Sequence, residues 1–98
     1  MEESSKPEAY HPLKVAPRLE AAREALGLSR SEFADIVGID RSSYSKIADG
    51  KKPLLPKDAY HIWQLYGIDM NYIYLGQLGG LPSNLSNTII THLKARAE

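Results

Sequence analysis

Apolar residues recur along this chain at spacings of three and four, and most of the runs stop at a glycine. That period is the signature of amphipathic helices. Leu19, Ala22 and Leu26 form one face ahead of Gly27, and Pro17 suits the first turn of that helix, where its missing N–H costs nothing. Ser29-Arg-Ser-Glu32 has the capping-box pattern and opens a second helix with Phe33, Ala34 and Val37 inward and Gly38 as its stop. Asp40 is a suitable N-cap for a third helix, in which Tyr44 and Ile47 face inward before Gly50 and Pro53 close it. Pro56 starts a fourth, packed through Ala59, Ile62, Trp63 and Tyr66, and Asp69 caps a shorter fifth with Met70, Ile73 and Tyr74 as its apolar positions. After a glycine-rich connector, Leu85, Ile89 and Leu93 recur every four residues from Ser83 onward, which predicts a last helix. No stretch alternates with the period of a strand, so the expected class is all-α.

The second and third helices constrain each other. A steep crossing tolerates only a small side chain at the contact, which Ala34 provides, and Gly38 supplies the backbone angle a sharp turn requires. Ile39, Tyr44 and Ile47 then lock the pair over Phe33 and Val37. At about 100° per residue, Ser42, Ser45, Lys46 and Asp49 share the opposite side of the third helix, and Arg41 projects from its first turn.

By these residues, from about Arg18 to Leu75, the chain resembles the helix-turn-helix domain of the Cro and lambda-repressor-like (XRE) family. The resemblance implies a five-helix domain, here with an additional C-terminal helix. It divides the chain into a flexible arm (residues 1–14), the helix-turn-helix domain (15–76), and a linker with a C-terminal helix (77–98). In such domains the third helix enters the major groove of double-stranded DNA by its N-terminal end. Carried over by position, Arg41, Ser42, Ser45 and Lys46 are the base readers. Arg30, Ser43, Lys51 and Lys52 are the phosphate contacts, with support of the helix cap as the structural alternative for Ser43. The chain departs from the family where Ala48-Asp49 replaces a common Glu-Asn pair. Arg23, matching an arginine that the lost glutamate often holds, needs another partner, and Asp49 is expected to pair with Lys46 or Lys52.

Charge qualifies the DNA expectation without removing it. The 98 residues sum to zero formal charge, yet Arg41 to Lys57 holds five basic residues against Asp49 alone. That window is therefore +4 and the remainder −4, a local stripe suited to salt-dependent attraction to phosphates. His11, His61 and His92 are isolated, which argues against a metal site. No phosphate-binding glycine loop or nucleophile turn is present, so no cofactor and no enzymatic activity are expected. The acidic, polar N-terminus lacks the apolar core of a secretory signal, no run is apolar enough for a membrane span, and cysteine is absent, as suits a reducing cytoplasm. Leu81, Leu85, Ile89 and Leu93 have two possible uses: a homodimer seam, or packing of the last helix back on its own domain. The leading expectation is a sequence-specific DNA-binding regulator of bacterial or phage type. The alternative, motivated by zero net charge, Asp49 and surplus aromatics, is a protein-interaction module such as the antitoxin of a toxin pair.

Overall fold

A computed structural model describes residues 7–97. Among them the chain forms six helices and no strand: α1 (Pro12–Ala25), α2 (Arg30–Val37), α3 (Arg41–Ala48), α4 (Pro56–Tyr66), α5 (Met70–Leu75) and α6 (Ser83–Ala97). The all-α class follows the period of the apolar residues, and the extra C-terminal helix is present.

α1 begins a turn earlier than Pro17 predicts. His11 is its N-cap, with Nδ1 accepting from the Leu13 N–H at 3.0 Å, and Pro12 occupies the first turn. Pro17 therefore lies inside the helix and deletes one ladder bond. Burial of Val15 and Ala16 before it, and of Leu19, Ala21 and Ala22 after it, holds the two halves in one helix. The arm expected over residues 1–14 is correspondingly shorter: 12–14 are helical, and 1–6 lie outside the described residues.

α1 is the central element, packed against α3, α5 and α6, while α2 packs on α3 and α4. Leu19, Phe33, Tyr44, Ile62, Ile68, Tyr72, Ile73 and Ile89 are fully buried. The Phe33 ring meets Tyr44 edge-on at 5.5 Å and stacks on Tyr66 at 6.3 Å. Tyr72, at first sight one of a surplus of aromatics, is a core residue whose hydroxyl donates to the Arg18 carbonyl at 2.6 Å. Trp63 departs from expectation in the other direction. The buried stripe of α4 runs through Ala59 and Ile62, and Trp63 lies one position round the helix, 47% exposed beside Tyr60.

Of the two uses open to the last helix, the structure takes the second. α6 folds back on α1, burying Ile89 completely, with Leu85 and Leu93 packed partly against the same core and Leu81 buried in the connector. Glu24 of α1 fastens the far end, accepting from Arg96 and lying 3.2 Å from His92 Nδ1.

Candidate nucleic-acid interface

The geometry of the α2–turn–α3 unit begins with its caps. The Ser29 N–H donates to Glu32 Oε1 at 2.8 Å and the Glu32 N–H returns a bond to Ser29 Oγ at 3.1 Å, so the capping box is complete. α2 ends at Gly38, whose φ of +78° lies in the left-handed region, and the Ile39 N–H reaches back to the Ala34 carbonyl at 2.9 Å. Asp40 caps α3, accepting from the Ser43 N–H at 3.1 Å and from Ser42 Oγ at 2.7 Å. Ala34 is fully buried at the crossing, and Ile39, Tyr44, Ile47 and Ala48 are buried beneath α3.

Among the described residues, no other helix covers the outer face of α3, although side chains of α2 and the turn reach it. Arg41, Ser42 and Lys46 are exposed, and Ser45 is half-buried between them. Arg41 forms a two-pronged ion pair with Asp35 of α2, Nε to Oδ1 at 3.0 Å and Nη2 to Oδ2 at 2.6 Å. Its guanidinium holds the Asp35 carboxyl below the usual carboxylate range. Ser42 is partly engaged by the Asp40 cap. Ser43 Oγ accepts from Lys52 Nζ at 3.0 Å, which joins two of the expected phosphate contacts in one hydrogen bond. Lys51 is exposed next to them, and Lys52 and Lys57 line an open hollow with Asp40 at the foot of α3.

Beneath this face lies a charged cluster that the spacing of apolar residues does not reveal. Glu20 of α1 is only 2% exposed. Arg23 donates to it twice, Nε to Oε2 at 2.9 Å and Nη2 to Oε1 at 3.0 Å; Arg30 Nε reaches Oε1 at 3.0 Å and the Tyr44 hydroxyl reaches Oε2 at 2.6 Å. Burial alone pushes Glu20 up, but the hydrogen bonds from Arg23, Tyr44 and Arg30 outweigh it and hold the carboxyl below its ordinary value. Tyr44 is pushed well above the usual phenol range, first by burial and then by its bond to Glu20. Arg23, which needed a partner, thus finds one on its own helix, and its Nη1 caps the Leu28 carbonyl at 2.6 Å.

Arg30, expected at a phosphate, is divided between Glu20 and Asp49, with Nη2 3.2 Å from Asp49 Oδ1. Asp49 therefore pairs with Arg30, not with Lys46 or Lys52. The reason is reach: Arg30, at the start of α2, stands between the buried Glu20 and the last turn of α3. The Glu20–Arg23 contact had a sequence signal, an i,i+3 pair of opposite charge. Arg30 and Tyr44 join it only through tertiary packing, and Asp35–Arg41 forms across a turn, where no period applies.

The arrangement presents cations and hydroxyls over a buried apolar backing. Among the described residues no group of His, Asp and Glu is placed to hold a metal ion, and no helix is long and apolar enough to cross a membrane. A family model described as a helix-turn-helix domain matches residues 16–78, more than half of the chain. No curated protein and no solved structure matches it.

Proposed function

The chain belongs to the helix-turn-helix domain family, and from that premise we propose that it is a sequence-specific DNA-binding transcriptional regulator, of the bacterial or prophage repressor type. The observation that carries this is the outer face of α3, where Arg41, Ser42, Ser45 and Lys46 stand over a backing of buried Tyr44 and Ile47. In the major groove, arginine and lysine donate to guanine O6 and N7, and serine donates or accepts at either kind of base edge. Lys51 and the Lys52–Ser43 pair, beside that face, would contact phosphates, and Arg30 would add its remaining N–H groups. The activity is binding, not catalysis, and it belongs in the cytoplasm with the DNA.

We further propose a homodimer on DNA, since a single small module gains specificity when two recognition helices meet half-sites about one helical turn apart. With Ile89 buried within the chain, the surface for such a dimer is the aromatic patch on α4, where Tyr60 and Trp63 are exposed side by side. The same patch supports the second reading, a protein-interaction module such as an antitoxin, because exposed aromatics of this kind mark partner sites.

Selection from a randomised duplex pool, followed by titration at several salt concentrations, tests the DNA reading. The expected result is an enriched motif and an affinity falling with salt by a log–log slope of about −0.9 for each phosphate neutralised. Absence of binding at low salt, or indifference to salt, overturns it. Stoichiometric recovery of one protein partner, unaffected by Arg41→Ala and Lys46→Ala, favours the second reading.

A further inference from the structure

We infer that Asp35 is a positioning residue for base recognition: it grips the Arg41 guanidinium by one edge and so presents the opposite edge to a guanine. This deepens the DNA-binding reading and rests on it. A guanidinium carries five N–H donors in a fixed fork. Asp35 takes the Nε hydrogen and one Nη2 hydrogen, through two near-parallel bonds of 3.0 and 2.6 Å. Three donors remain, two on Nη1 and one on Nη2; one hydrogen of each nitrogen points off the end of the fork in the same direction, and this pair has the spacing of guanine O6 and N7. Arg41 is the first residue of α3, at the end of the helix that enters the groove.

The ion pair has little to do with holding the fold. The two side chains are 64% and 54% exposed, and exposed pairs contribute little to stability. Its effect falls on recognition, in two opposed ways. On a site with guanine in register, a fixed plane spares Arg41 the ordering cost of binding. On any other site, the Asp35 carboxylate sits near the phosphates with nothing gained in exchange. Arg30 is also engaged through Nε and Nη2, but by two different carboxylates, Glu20 and Asp49.

The test compares wild type, Asp35→Ala, Asp35→Asn, Arg41→Ala and the Asp35→Ala/Arg41→Ala double variant. Each is titrated on the duplex selected by the wild type, on that duplex with single G·C pairs exchanged, and on a scrambled duplex. Circular dichroism establishes that all are folded. Asp35→Ala and Asp35→Asn are expected to weaken the selected duplex about tenfold, the weight of one bidentate base contact, while the scrambled duplex binds as well as before or better. Both variants and Arg41→Ala are expected to lose preference at the same G·C pair, and Asp35→Ala to change nothing further once Arg41 is gone. Preference intact in Asp35→Ala, equal weakening on selected and scrambled duplexes, or additive effects of the two substitutions each overturns the inference while the DNA reading stands. A wild-type protein that enriches no motif brings down both.

Discussion

Glu20 is the residue on which three helices converge. Removing one partner of a buried ion pair strands the other, so Glu20→Ala is expected to cost about 3–5 kcal/mol, read as a lower denaturant midpoint with little change in slope. Its pH dependence follows from the depressed folded value. The stabilisation is fully present above the unfolded value, near 4.5, and is lost as pH falls through the folded one. Acid unfolding followed by circular dichroism should therefore contain a component below about pH 4.5 that is missing in Glu20→Gln. Asp49 is the informative neighbour. Asp49→Asn releases Arg30 Nη2 and removes a negative charge from the face proposed to meet DNA, so binding should tighten on all duplexes and the salt slope steepen by about 0.9. Single side chains were legible in the sequence where they act locally: the Ser29–Glu32 box and the Asp40 cap both form. The partners of Arg30 and Asp49 were not, because those contacts are chosen by how the helices dock.

At the scale of elements, the two glycines flanking α3 share one backbone requirement in different surroundings. Both have positive φ, +78° at Gly38 and +77° at Gly50. A Cβ on Gly38 would meet open space, whereas one on Gly50 would lie 2.8 Å from Leu13 Cδ2 and 3.4 Å from its Cα. Gly38→Ala is thus expected to cost the left-handed penalty, about 1–2 kcal/mol, and Gly50→Ala about the same, because the exposed Leu13 side chain can turn aside; chemical denaturation of the two variants side by side checks this. The first turn of α1 was misplaced because Pro12 and Pro17 both suit a first turn. The His11 cap selects Pro12, and Pro17 marks no boundary. The other helices start and stop near their caps and glycines because those signals are local. α4 was legible in extent but not in rotation, since Ala59, Ile62 and Trp63 fit a three-and-four spacing whether or not the indole faces the core.

Across the whole molecule, one apolar core includes the C-terminal helix. Ile89→Ala should cost about 2–5 kcal/mol, measured by thermal or denaturant unfolding, and should loosen α6 from α1. The spacing of Leu85, Ile89 and Leu93 gave no means of telling this from a dimer seam, because an apolar stripe is equally satisfied by its own chain or another's. The family match over residues 16–78 stops short of α6, yet α1, which lies mostly within it, is covered by that helix. The Glu20 cluster has a consequence for how such a sequence can drift. Its members come from three helices, and each is tolerable only while the others remain: an orphaned carboxylate or guanidinium is worse than none. Libraries that randomise positions 20, 23, 30 and 44 one at a time should return little but the parent residues. Randomised together, the same four positions should yield wholly apolar or charge-reversed solutions, so that this corner of the protein changes in a single leap or not at all.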